Sequence, residues 1–396
     1  MQTPLFSQTA APNAASTRYH PVAWGDIGVG TWSTVSTVYR TPVPIAGTLK
    51  GFIFRCPATI SAGTWAMSVQ KNGVDVMTAT CSTGVQIATD ATEVAFGAGD
   101  DIQLKLVPTS TPTPTAQPNG VQVVLIYETA PNRSLVLSNV PASAVTTAFF
   151  MPINGTGTIT MTEATATAVM PCAGTFETIY GILSAAPGTT STVTATLYVN
   201  GAPSSLATTF GSADTTKNEA SSVSVSAGDL ITIQRSTNGT APASATLALG
   251  LEFRPSVDGE SPQFSYPGAP NTGATRYQYP SGNAATSAES TAQQIVTTGY
   301  KVRSLYLNLV TAPAAGKNWA ITGRKGGVSQ TVTATVADAA TTGNDTTHDF
   351  DVVDQDLIDW MIVPTGTPTG ATNMRLGWVA YIQPASARML TLLGVG

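Results

Sequence analysis

The chain alternates between short apolar runs, rich in Val, Ile, Thr and aromatic residues, and clusters of Gly, Pro, Asn and Asp. Many runs change from apolar to polar at every second residue, the period of a strand with one buried face. Over the first third this pattern predicts eight strands, near 17–22, 33–40, 48–56, 64–71, 74–81, 92–97, 101–107 and 121–128. Their spacing of roughly 8–12 residues is that of a sandwich. The runs 120–127, 245–253 and 374–381 each read as a closing strand. No segment carries an apolar stripe at i, i+3, i+4 and i+7 with caps at both ends, so no helix is predicted. The longest apolar runs, such as 123–127, are strand-sized and far below a bilayer-spanning helix, so no membrane partner is expected.

The pattern occurs three times. Asn72-Gly73, Asn200-Gly201 and Gly326-Gly327 each follow such a run, with second glycines 128 and 126 residues apart. Asn-Gly between two strands is a strong hairpin signal, because both turn positions require positive φ. Gly99-Asp100 recurs as Gly228-Asp229 and, eroded, as Gln355-Asp356. Thr17-Arg18-Tyr19 reappears as Thr275-Arg276-Tyr277, with Thr147 through Pro152 in the middle slot. Ala46-Gly47-Thr48 matches Ala173-Gly174-Thr175, with Thr298-Gly299-Tyr300 in third place. Four markers in one order and one period divide the chain into tandem domains at 1–130, 131–256 and 257–396. Eight antiparallel strands in about 130 residues suit a jelly roll, so the expected fold class is all-β with three tandem sandwiches.

A Gly-Thr-Leu strand start at Gly47, a strand ending in Lys71-Asn72-Gly73-Val74, then Ala98-Gly99-Asp100-Asp101-Ile102 and an aromatic-ended last strand resemble the complement-head and tumour-necrosis-factor jelly rolls. That resemblance implies trimeric packing; a homotrimer of chains is the expectation it carries, with a pseudo-trimer of the three copies within one chain left open.

Only 10% of residues are charged, against about 25% in an ordinary soluble protein. Surface polarity therefore comes from Thr, Ser, Asn and Gly. The net charge of −5 and the lack of a Lys/Arg cluster argue against a nucleic-acid partner. Three cysteines, Cys56, Cys81 and Cys172, give neither a disulfide framework nor a cysteine zinc site. A Cys56–Cys81 bridge within one domain is compatible with the spacing, and free buried thiols are the simpler expectation.

The two histidines are His20 and His348. His20 takes the slot that holds Met151 in the second copy and Gln278 or Tyr279 in the third, which points to a structural role. After His348 come Asp349, Asp351, Asp354, Asp356 and Asp359. The first four are a candidate Ca²⁺ loop, since clustered carboxylates offer oxygen ligands. The competing reading is a charged strand edge that discourages edge-to-edge pairing. No metal or other cofactor is expected. Sequons at Asn132, Asn154, Asn238 and Asn344 are what a Ser/Thr-rich chain produces by chance. Trp24, Trp32, Tyr39, Tyr277 and Tyr279 suit either a sugar-stacking platform or packing at a domain junction. The Thr/Pro stretch 108–115 reads as a stiff extended connection. The tail residues Met389, Leu390, Leu392 and Leu393 form an apolar segment that would dock on a neighbour.

No catalytic dyad, phosphate loop or cofactor fingerprint emerges, and no enzyme is expected. A neutral Thr/Ser/Gly surface, tandem sandwiches and no visible signal peptide together suit a bacteriophage virion protein, assembled in the host cytoplasm. The expectation is a structural protein displayed on the particle, as capsid decoration or a head–tail appendage, contacting other virion proteins. The alternative is a tail-fibre adhesin that binds a host-surface receptor or glycan.

Overall fold

The computed structural model describes residues 1–8, 14–22, 32–115, 120–143, 147–154, 160–239, 245–283, 285–370 and 373–383. Strands dominate. The first copy contributes β1 (Gln2–Gln8), β2 (Arg18–His20), β3 (Thr41–Pro42), β4 (Gly47–Arg55), β5 (Ala62–Lys71), β6 (Val74–Cys81), β7 (Ile87–Asp90), β8 (Val94–Phe96), β9 (Asp101–Thr113) and β10 (Gln122–Thr129). The second contributes β11 (Ser134–Ser143), β12 (Phe149–Met151), β13 (Ala168–Val169), β14 (Gly174–Leu183), β15 (Thr192–Val199), β16 (Ala202–Phe210), β17 (Thr216–Val225), β18 (Leu230–Asn238) and β19 (Ala245–Pro255). The third contributes β20 (Glu260–Gly268), β21 (Arg276–Gln278), β22 (Gly282–Asn283), β23 (Gln294–Ile295), β24 (Tyr300–Leu309), β25 (Ala314–Lys325), β26 (Val328–Asp338), β27 (Thr342–Val352), β28 (Leu357–Thr365) and β29 (Met374–Tyr381), with one short helix, α1 (Glu289–Ala292).

Each copy is two facing sheets. In the first the orders are β1-β10-β4-β7 and β2-β9-β5-β6; in the second, β11-β19-β14-β17 and β12-β18-β15-β16; in the third, β20-β29-β24-β27 and β21-β28-β25-β26. Pairing is antiparallel except where β22 adds parallel to β20. Apart from hairpins such as β5–β6, β15–β16 and β25–β26, the chain passes back and forth between the sheets, and the first and last long strands of each copy pair, as in a jelly roll. The cores lie between the sheets, built on Phe54, Trp65 and Leu125, on Phe176, Leu197 and Phe253, and on Trp319, Trp360 and Trp378. Removing each such side chain from water contributes about 1.5–3 kcal/mol.

The hairpin signal takes the form its chemistry requires. Asn72 and Gly73 have φ of 51° and 80°, Asn200 and Gly201 50° and 82°, and Gly326 and Gly327 55° and 82°. Two positive-φ residues in a row make the two-residue turn whose twist matches antiparallel strands. Asn72 also clamps the neighbouring turn, donating from Nδ2 to Asp100 (2.7 Å) and accepting from the Asp101 N–H (2.9 Å). Asn200 repeats both bonds with Asp229 and Leu230. The Gly-Asp marker is thus the partner of the Asn-Gly marker.

Several predicted elements differ. Residues 33–40 form no strand; only a bridge from Ser33 to Tyr19 persists, because this Ser/Thr run has no apolar face to bury and leaves Val35 exposed. The span 92–97 holds only the short β8 (Val94–Phe96), and a strand that was not predicted, β7 (Ile87–Asp90), precedes it; both pair with β4. Strand β1 was not predicted, since Pro4 interrupts its pattern; it pairs along its whole length with β10 at the edge of the sheet, where proline is tolerated. The stretch 108–115 continues β9 to Thr113, paired to Ala62, with Ser110 and Thr111 at positive φ, rather than running as a separate stiff connection.

Candidate functional site

Side chains make the repeat exact enough to superpose positions. Ser7 Oγ donates to the Pro21 carbonyl, Ser138 to Pro152 and Ser265 to Tyr279, each fourteen residues on. These serines sit in β1, β11 and β20, which meet one another near a common axis. Four residues earlier in each strand, Thr3, Ser134 and Ser261 form a buried hydroxyl chain, with 3.1 Å from Thr3 to Ser134 and 3.1 Å from Ser134 to Ser261. Gln263 ties the same point by donating to Pro4 O and Ser261 Oγ, both at 3.2 Å. Above them a cavity of about 30 Å³ lies among Leu5, Phe6, Val136, Leu137, Gln263 and Phe264, room for about one water.

The same contact links each copy to the next. β3 packs on β14 and β19, β13 on β24 and β29, and β23 on β10, which closes a ring. Three jelly rolls of one chain therefore stand around a pseudo-threefold axis. The receiving strands β10, β19 and β29 are buried on both faces, one toward their own core and one toward the neighbour. This explains why they read as continuous apolar runs rather than alternating ones.

At two joints, glycine admits the incoming backbone. A Cβ on Gly250 would lie 2.1 Å from Pro42 O, and one on Gly377 2.1 Å from Val169 O. Beside these glycines, Tyr180 and Tyr306 reach the Gly99 and Gly228 turns of the preceding copy. The register places Val124 and Ile53 where those Gly–Tyr pairs stand. At the third joint they pack with Ile295 and Val296 in the core of the third copy. Gln122 additionally donates to Gln293 O across it. The joint that closes the ring is thus side chain against side chain, whereas the other two bring backbone against backbone.

The candidate chemistry disperses. His20 Nδ1 lies 2.8 Å from Pro21 O and 3.3 Å from Ser7 Oγ, fully buried beneath Trp32. Burial lowers its pKa to about 3, so the ring is neutral. The contact with Ser7 has the outline of a nucleophile–base pair. However, the Pro21 carbonyl engages both groups, and the second and third copies keep the serine bond without a histidine. This is a strut.

Lys301 pairs with Asp349 (3.1 Å) and Asp351 (3.3 Å), while Asp356 caps its turn by accepting from Val353 N at 2.8 Å, as Asp100 does from Gly97 N at 2.7 Å. Asp354 contacts Gln355. Among the described residues no three His, Cys, Asp or Glu side chains come together as a metal-binding group. His348 pairs with Asp345 at 3.0 Å; burial pushes the Asp345 carboxyl up, but three backbone N–H groups and that imidazole together outweigh it and hold it down at about 2.

Trp32 and Tyr39 pack on His20, and Tyr279 is buried, so these aromatics are packing residues. Trp24 and the tail residues Met389, Leu390, Leu392 and Leu393 lie outside the described residues. The sequence left open a ring within one chain beside a homotrimer of chains, and the mid-strand glycines Gly250 and Gly377 were the available signal for the ring. The chain matches no protein-family model, and no curated protein is significantly similar to it.

Proposed function

We propose that the chain is a non-enzymatic structural protein of a bacteriophage particle, displayed on its surface as capsid decoration or a head–tail appendage. One chain would supply the whole three-copy unit. The observation that carries this reading is the closed ring of three jelly rolls. The complement-head and tumour-necrosis-factor-like proteins that the sequence resembles reach three-fold packing by association of domains. Here the three repeats within one chain stand in those positions, which supports a single chain of 40.6 kDa as the working unit in place of a homotrimer of chains. The neutral, Thr- and Ser-rich exterior favours burial against other virion proteins, because such groups cost less to desolvate than charges. Under the same proposal the apolar residues 389–393 contribute to attachment. The adhesin reading is the weaker one, since Trp32, Tyr39 and Tyr279 are engaged in packing and offer no stacking platform.

Two measurements test the proposal. Light scattering at micromolar concentration should give one species at 40.6 kDa. A mass three times larger would restore the homotrimer. Imaging of the particle should show many copies on the head lattice or a defined set at the head–tail junction. A few copies at fibre tips would favour the adhesin instead, and none on the particle would overturn the proposal.

A further inference from the structure

Cys56 follows β4 in one sheet of the first copy and Cys81 ends β6 in the other, both fully buried. The register sets their equivalents as Leu183 and Phe210 in the second copy and Leu309 and Val336 in the third. Every one of these is buried in the core between the sheets. The thiols thus occupy a position where the other copies join their sheets by apolar contact. The Ser82–Val85 bridge turns the chain so that the Gln86 carbonyl accepts from Cys56 N at 2.8 Å and from Cys81 Sγ at 3.4 Å. Cys81 Sγ also lies 3.7 Å from Phe54 O, two residues before Cys56. The proximity of the two thiols pulls the Cys81 thiol down and pushes the Cys56 thiol up, burial adding to the latter.

We infer that Cys56 and Cys81 are a site of reversible disulfide formation that staples the two sheets of the first copy once the protein meets an oxidising medium. The oxidant is a small-molecule disulfide. Cys81 thiolate attacks one of its sulfurs, the S–S bond breaks, and one small thiolate leaves. Cys56 then gives up its proton and attacks the Cys81 sulfur, expelling the second small thiolate. Two protein thiols lose two electrons and two protons, and one small disulfide becomes two thiols. Cys172, buried in the second copy, has no partner cysteine and stays reduced. A structure that is assembled in a reducing cytoplasm and later released is suited to such a bond, but the inference stands on the thiol pair alone.

The test is refolding of the full chain from denaturant in a buffer of reduced and oxidised glutathione, so that burial does not limit access. The expected product is lighter than the reduced chain by about two hydrogens, has one titratable thiol when unfolded, and yields a Cys56–Cys81 peptide. It should melt several degrees higher than the reduced form. Cys172→Ser should leave the pair able to oxidise, and Cys81→Ser should abolish it. Three free thiols after refolding to the native state, a glutathione adduct in place of the bond, or an oxidised form that melts lower would each overturn the inference.

Discussion

At single positions the three copies act as controls on one another. His20 stands where the others have Met151 and Gln278, and its buried, neutral ring must give up a proton that the unfolded chain keeps below its ordinary value of 6.5. The unfolded state therefore binds more protons between about 6.5 and 3, and stability falls as pH falls through that window. His20→Gln should remove this slope and gain about 2 kcal/mol over the parent at pH 4.5, by urea unfolding.

Asp359 works in the opposite sense. It stands where the first two copies carry neutral Gln103 and Thr232, neither of its oxygens has a hydrogen-bond partner, and burial with Glu289 nearby raises its pKa to about 7 against the pull of Arg324. The folded state keeps a proton that the unfolded chain loses above about 4. Stability consequently drops as pH rises from about 4 to 7 and levels off beyond. Asp359→Asn is expected to stabilise by roughly 2–4 kcal/mol at pH 8 and to change little at pH 4. Equal effects at both values would sink this account.

Among the elements, the paired turns were the most legible, because positive φ at Asn72, Gly73, Asn200 and Gly201 restricts which residues can stand there. The outer strands β6, β16 and β26 were legible too, since one of their faces meets water and alternation survives. The double burial of β10, β19 and β29 was visible as continuous apolar runs. What covers the second face was not, because periodicity reports that a side is buried and not which neighbour buries it. Strand β1 and the loop at 33–40 failed for local reasons, one strand holding a proline and one loop rich in β-branched residues. The acidic run carried two readings, a cation loop and a charged edge. Asp349 and Asp351 answer a lysine on the neighbouring strand and Asp356 closes a turn, two separate tasks that the linear sequence places side by side. The joints themselves can be tested by adding one methyl group. Gly377→Ala would set a Cβ 2.1 Å from a carbonyl and should cost about 1–3 kcal/mol, whereas Gly370→Ala, in open space, should stay within about 0.5 kcal/mol by thermal melting.

For the molecule as a whole, covalent linkage changes how the ring responds to dilution. Separate subunits fall apart as concentration drops, but copies joined through the short connections at 130–133 and 256–259 face one another at a fixed local concentration. The melting temperature should accordingly be the same at 0.1 and 10 µM, within about 1 °C. A rise with concentration would show that contacts between chains carry part of the fold.

The unlike joint at Val124 and Ile295 has a genetic corollary. In a symmetric trimer one codon change is felt three times around the axis, so a mildly harmful substitution is multiplied before anything useful can be built on it. In this chain each change is made once. The first copy can hold a thiol pair, the third a buried carboxylate and the closing joint a valine in place of glycine, while the remaining copies keep the shared frame intact. Three faces that began alike are thereby free to meet three different neighbours.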